Sequence, residues 1–330
     1  MSSKKKIILS ASCSVVILGG FLYYFSQAPQ KVNSARTSYE VKSGTSTLEM
    51  ADELKKHGFV RSKWMFWGLL QFDGSFVKTG FYELSPSYDV NQVVKTLTTD
   101  LKEWNVIIPE GYSINDIAEI LAKKEIIKRE DFLAEASNIE KYQKEFPFLL
   151  NIKSKSLEGY LFPDTYRFNF QVLPEEIVLT MLDNFDKKVR ATSEEELLKQ
   201  KKSLQDVIIL ASIVEREAKK DEERSEIAAV YLNRLSKNMK LQADPTVQYA
   251  RGNWEQITQA DYQNVDSPYN TYKYSGFPPG SICNPGLKSI QAVLYPNQSN
   301  YLYFFHTKDG QAIFSQTEEE HTEKVNQYLK

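Results

Sequence analysis

Two glutamates close an apolar run. Ser203-Leu204-Gln205-Asp206 has the spacing of a helix N-terminus, and the helix it starts runs through Val207-Ile208-Ile209-Leu210-Ala211-Ser212-Ile213-Val214 before turning charged at Glu215-Arg216-Glu217. So long an apolar stretch leaves no polar face, which predicts a buried helix. Glu215 lies one turn after Ala211 and two after Ile208, placing a carboxyl at the inner end of a core helix. Burial disfavours the charged carboxylate. A glutamic acid kept protonated near neutrality can protonate a departing oxygen, such as that of a glycosidic bond. The same residues allow a plainer assignment. Glu215 and Lys219 have i,i+4 spacing and would form a solvated pair, and Glu217 follows apolar Ile213 and Leu210 in the same manner.

Downstream, a helix begins at Asp221 and runs through Ala228–Leu235; Met239–Tyr249 follows. Then come turn-rich stretches at Ser267–Tyr272, Gly276–Gly280 and Asn284–Gly286. Loops on a helical scaffold are where binding groups concentrate. Tyr249, Trp254, Tyr269, Tyr272 and Tyr274 are candidates for stacking on sugar rings, or for anchoring these loops with satisfied hydroxyls. Upstream, Leu157–Tyr166 packs turn formers and aromatics around Glu158, Tyr160 and Asp164. Helices are expected over Pro174–Val189 and Ser193–Lys201.

Residues 38–150 read as a duplicated small module. Tyr39–Lys42 alternates like a strand, and Ser46 with Glu49 has capping-box spacing. Leu48, Ala51 and Leu54 share a helical stripe. The pattern recurs 67 residues later, where Val106–Ile108 is the strand and Gly111, Ser113, Ala118 and Leu121 match Gly44, Ser46, Ala51 and Leu54. Ser113 with Asp116 repeats the cap. Between the copies lie an aromatic helix (Ser62–Gln71), a strand (Lys78–Leu84) and a helix capped by Asp89 (Val90–Leu97).

The chain has 330 residues, 42% hydrophobic and 25% charged, with 41 Lys+Arg against 43 Asp+Glu. This is globular composition of about two domains. A net charge of -2 offers no global attraction to nucleic acid. The three histidines show no metalloprotease or paired-cysteine spacing, and no phosphate-binding glycine pattern occurs, so no metal or cofactor is expected. Cys13 and Cys283 are too differently placed to predict a disulfide. Ile7–Phe25 carries no charge over nineteen residues, about 28 Å of helix and close to a hydrocarbon core. Lys4, Lys5 and Lys6 precede it, so the expectation is a single uncleaved span, residues 1–26, with a cytoplasmic N-terminus and an extracytoplasmic remainder. Residues 27–37 then form a stalk.

Tyr39-Glu40-Val41-Lys42-Ser43-Gly44 before a capped helix resembles a LysM-type module, which binds N-acetylglucosamine-containing wall glycans. Leu157–Tyr166, Ala211–Glu217, Asn233-Arg234-Leu235, Leu241–Val247, Ser267–Tyr272, Phe277–Gly280 and Tyr301–Phe304 together resemble the MltG (YceG-like) endolytic murein transglycosylase family. The resemblance implies an α+β chain: a single-pass anchor, a LysM-like α/β module, and a mainly helical lytic-transglycosylase domain with β-containing loops at 151–330. It implies cleavage of the β-1,4 bond between N-acetylmuramic acid and N-acetylglucosamine inside peptidoglycan strands, leaving 1,6-anhydro ends. It also implies penicillin-binding proteins and the wall-elongation machinery as partners. The family's catalytic glutamate is mapped onto Glu215. The muramyl C6 hydroxyl is the tethered nucleophile, so a second catalytic carboxylate is not required. Glu158, Asp164 and Asp244 are then candidates for positioning substrate. Asn233, Gln242, Thr246 and Asn270 are candidates for hydrogen bonds to acetamido groups, with Tyr160, Tyr269 and Tyr272 beside them. The competing readings are a non-catalytic wall-binding anchor and a water-using muramidase.

Overall fold

A computed structural model of the chain describes residues 19–20, 23–29, 35–99 and 103–329. It divides into two compact units, Met1–Trp104 with Arg167–Gln171, and Asn105–Tyr166 with Val172–Lys330.

In the first unit, β1 (Thr37–Val41) pairs antiparallel with β2 (Gly80–Leu84), Thr37 opposite Leu84 and Val41 opposite Gly80. Alternation turns Tyr39 and Val41 inward and leaves Ser38 and Glu40 outside. Against them, among the described residues, lie helices α1 (Thr47–Lys56), α2 (Lys63–Asp73) and α3 (Val90–Thr99). The expected caps are present. Ser46 and Glu49 form a capping box on α1, and Asp89 and Gln92 exchange bonds of 2.9 Å at the start of α3. The expected stripe on α1 is shifted: Ala51 and Leu54 are buried, but Leu48 is exposed and Met50 takes its place.

The second copy of the pattern has the same local geometry. Strand β3 (Glu103–Ile107) leads to Gly111, then to a capping box between Ser113 and Asp116, then to α4 (Ile114–Lys123). Gly44 and Gly111 share the left-handed conformation, φ 82° and 78°, which a side chain would disfavour. Ala118 and Leu121 are as buried as Ala51 and Leu54. The division between the units runs through β3, between Trp104 and Asn105, so Gly111, the capping box and α4 of the second copy lie in the second unit and the first copy lies in the first. Ser113→Ala is expected to cost about 1 kcal/mol, the usual worth of an N-cap, read as a lower urea midpoint with an unchanged slope.

In the second unit, α5 (Arg129–Ala136) and α6 (Ile139–Tyr142) lead to the first residues of β4 (Thr165–Asn169), a strand that from Arg167 onward belongs to the first unit. Then α7 (Pro174–Phe185) runs through a π turn at Asp186–Arg190 into α8 (Ala191–Gln200). The break expected near Val189 is absent, because the π turn keeps the helix continuous while burying Val189. Helix α9 (Leu204–Glu217) is the core, with Val207 through Val214 all buried. It packs against α10 (Arg224–Ser236), α11 (Asp244–Arg251) and α13 (Leu287–Leu294). Between them, α12 (Gln259–Asn264) lies in the turn-rich stretch. The chain ends in an antiparallel hairpin, β5 (Tyr303–His306) with β6 (Ala312–Ser315), and α14 (Glu318–Leu329).

The expected span Ile7–Phe25 falls largely outside the described residues. Among the described residues, no helix is long and apolar enough to cross a membrane.

Candidate active site

Helix α9 starts where Ser203 accepts the N–H of Asp206 at 3.0 Å. From there its rigid length delivers Glu215, Arg216 and Glu217 to its last turn. Successive residues leave a helix about 100° apart, so these three side chains enter three different environments.

Glu215 is a cross-brace. Its side chain is 6% exposed. Oε1 accepts from Arg224 Nη1 at 3.1 Å, and Oε2 accepts from the N–H of Gly286, the N-cap of α13, at 2.9 Å. Arg224 also donates to Ser289 and to Asp221. Glu110 occupies the space where a Gly286 side chain would lie. Its carboxyl is held above the usual range, first by burial and then by Glu215. The expected burial of Glu215 is met, but between one cation, Arg224, and one N–H, that of Gly286, which engage both oxygens and lock α9 to α10 and α13.

Arg216 lies with its guanidinium 3.8 Å from the centre of the Trp254 ring. Trp254 in turn donates to Asp116 at 3.2 Å. The aromatic proposed for sugar stacking is therefore covered on one face by a cation.

Glu217 lines a cavity of about 490 Å³ together with Tyr231, Arg234, Gln242, Asp244 and Tyr272. Its carboxyl is pushed up to about 7, chiefly by loss of solvent; the Tyr231 hydroxyl works against the shift and Asp244 adds to it. Tyr231 donates to Glu217 Oε1 at 2.9 Å. Across the cavity, the Tyr272 hydroxyl donates to Asp244 Oδ1 at 2.5 Å, and the Tyr272 ring stacks on Tyr262 with centroids 4.2 Å apart. Arg234 donates to the Gln242 side-chain oxygen at 3.0 Å and to the Leu241 carbonyl at 2.6 Å. Gln242 holds a left-handed backbone, φ 51°, a conformation non-glycine residues keep only where their surroundings impose it. The wall is completed by β5 and by Glu318, His321 and Thr322 of α14.

The candidate substrate-binding residues separate accordingly. Gln242, Asp244 and Tyr272 meet in the cavity, around Glu217 and away from the Glu215 brace. The others hold the scaffold. Glu158 is buried and accepts from the Ile114 N–H at 3.0 Å and from Asn284 at 3.1 Å; burial pushes it up to about 8. Tyr160 is core, packed on Phe148 and Phe185. Asn233 donates to the carbonyls of Ser299 and Tyr301 at 2.8 and 3.0 Å, securing the approach to β5. Thr246 and Asn270 are fully buried. Thr246 bridges Ala243 and Thr271, and Asn270 ties the carbonyls of Tyr262 and Val265. Tyr269 packs on Tyr249, centroids 4.9 Å apart. Asp164 is paired with Lys188 and Asn184 on the surface.

Residues 39–327 match the YceG-like family. The chain belongs to that family. Among curated YceG-like relatives, an endolytic murein transglycosylase of Bacillus subtilis (strain 168) is 35% identical over 334 residues, spanning 96% of this chain and 91% of its own. One from Streptococcus pneumoniae serotype 2 (strain D39) is 29% identical over 365 residues, 99% of this chain and 66% of that protein. The crystal structure of a yceG-like protein from Listeria monocytogenes is similar at a TM-score of 0.63 and 36% identity, covering 88% of this chain and 100% of that one.

Within this YceG-like fold, sequence reasoning missed Tyr231, Arg234 and His321 as cavity residues. Tyr231 and Arg234 are one turn apart on α10, inside a motif that stood out only for Asn233-Arg234-Leu235. His321 belongs to the terminal helix, whose short polar pattern carries no signal of its own.

Proposed function

We propose that this chain is an endolytic peptidoglycan lytic transglycosylase and that Glu217 is its acid and base. The observation that carries the assignment is a carboxyl pushed up to about 7 on the wall of a cavity it shares with Asp244, Gln242 and Tyr272. Glu217 gives its proton to the glycosidic oxygen as the C1–O4 bond breaks. The muramyl C6 oxygen attacks C1, closing the 1,6-anhydro ring, and its proton returns to the Glu217 carboxylate. Atoms balance without water. The nucleophile is tethered to the reacting sugar, which supplies the effective concentration a separate water lacks. Asp244 adds negative charge beside the positive charge developing on the ring. The polar ends of Gln242 and Arg234 suit the acetamido and lactyl groups of the amino sugars.

Ile7–Phe25, uncharged and preceded by three lysines, is read as a single membrane span with the enzyme on the outer face, where peptidoglycan lies. The strand–glycine–cap–helix copies support the LysM-like reading, and penicillin-binding proteins of the wall-elongation machinery are the partners this placement suggests.

The test is mass spectrometry of uncrosslinked glycan strands incubated with the full chain. Internal fragments with anhydro ends are expected; reducing ends would instead make it a muramidase using water, with Asp244 as the second carboxylate. The pH profile carries its own signature. The acid must be protonated, so kcat/KM falls tenfold per pH unit above about 7. Asp244 raises the Glu217 pKa, so Asp244→Asn moves that falling limb to lower pH, whatever it does to the maximal rate. An unmoved limb would remove Glu217 as the titrating group.

A further inference from the structure

Helix α2 is apolar on two opposite faces. Phe66 and Leu70 are buried in the core of the first unit. On the other side Trp64 is 61% and Trp67 39% exposed, and Phe72 is 92% exposed. At 100° per residue these three fall within an arc of about 140° centred opposite Phe66. Phe76, just past the C-cap Gly74, is 90% exposed. Single exposed aromatics need no explanation, but four within thirteen residues, three on α2 and one just beyond it, mark a contact surface.

The chain path names what covers it. Arg61, two residues before α2, donates from Nε to the carbonyl of Ala28 at 2.9 Å. Its guanidinium sits 4.5 Å from the centre of the Tyr24 ring. Tyr24 belongs to the last residues of the apolar run Ile7–Phe25. The start of α2 is therefore pinned to the end of that run. Lys63 extends the basic rim, its Nζ 5.1 Å from the centre of the Trp64 ring. Tryptophan and phenylalanine bordered by Arg and Lys are the composition of the bilayer–water interface.

We propose that α2 is a membrane-docking surface whose exposed aromatics enter the interfacial layer of the outer leaflet. It rests on the reading of Ile7–Phe25 as a membrane span. The first unit is then held at the bilayer by two attachments, the span and the aromatic face, which fixes its height above the lipid.

The full chain is reconstituted into phosphatidylcholine–phosphatidylglycerol vesicles, with and without brominated acyl chains. Flotation reports the span, and bromine quenching of tryptophan fluorescence reports the docking. Expected are flotation and a drop in tryptophan emission of up to about twofold, because two of the four tryptophans lie on this face. That drop should be absent in Trp64→Phe/Trp67→Phe, which keeps the aromatic surface but removes its fluorophores. Phe72→Ser/Phe76→Ser should halve the quenching with an unchanged melting temperature. Flotation with no quenching at Trp64 and Trp67 overturns the docking and leaves the span standing. Failure to float overturns both. Protection of the tryptophans by glycan strands or by increasing protein concentration, without quenching, would assign the face to glycan or to a second copy and overturn the proposal.

Discussion

Glu217→Gln is expected to abolish formation of anhydro ends, by about 10²–10⁴-fold or more, the range for loss of a general acid–base. Its melting temperature should barely move, because glutamine can still accept from Tyr231 and no longer titrates in a desolvated site. Glu215→Gln should behave in the opposite way. It strands Arg224, whose side chain is 12% exposed, against a partner that was 6% exposed. Breaking a buried pair costs about 3–5 kcal/mol. Arg224 keeps Asp221 at 3.1 Å, which places the expected loss near the lower bound, about 3 kcal/mol. Below its melting transition the Glu215 variant should still cut glycan. The two variants are assayed side by side for product ends and for urea midpoints. An active Glu217→Gln, or a Glu215→Gln that is stable and dead, would return the acid to Glu215.

The second large effect concerns Gly159. Its φ is 95°, in the region that favours glycine. A methyl group there would lie 2.3 Å from Ser281 Oγ, 2.6 Å from Ser281 Cβ and 2.9 Å from Ile208 Cγ2. Ile208 belongs to the core helix and Ser281 is buried, so neither can swing into solvent. Gly159 also donates its N–H to Asn284 Oδ1 at 2.9 Å, as does Leu161 at 3.0 Å. Asn284 in turn donates to the Tyr112 carbonyl at 2.9 Å. One asparagine thus ties the turn-rich segment, the approach to α4 and the loop before α13. Backbone strain and overpacking each cost about 1–3 kcal/mol, so Gly159→Ala is expected to destabilise by about 3–5 kcal/mol. Its readout is the urea midpoint. A midpoint within experimental error of the parent would mean that this turn does not hold the core helix in place.

Much of this was legible in the residues. The caps at Ser46, Asp89, Ser113 and Ser203 each form, because capping is settled within four residues of chain. At the same local scale, Gly44 and Gly111 share a left-handed backbone ahead of a capping box. The burial of α9 followed from its unbroken apolar run. The motifs that marked the family also contain the cavity residues Gln242, Asp244 and Tyr272.

The tertiary structure decided which glutamate faces the cavity. Glu215 and Glu217 lie about 200° apart around one helix, and each follows buried residues one and two turns back. A helix apolar on all sides has no moment to tell its faces apart. The choice was made by groups far away in sequence: Arg224 and Gly286 closed one side over Glu215, while Asp244, Tyr272 and the terminal hairpin left room beside Glu217. The same distance in sequence hid the roles of Asn233, Thr246 and Asn270. Whether an amide or hydroxyl braces a loop or meets a ligand depends on which carbonyls the fold brings within about 3 Å of it, and no local pattern encodes that.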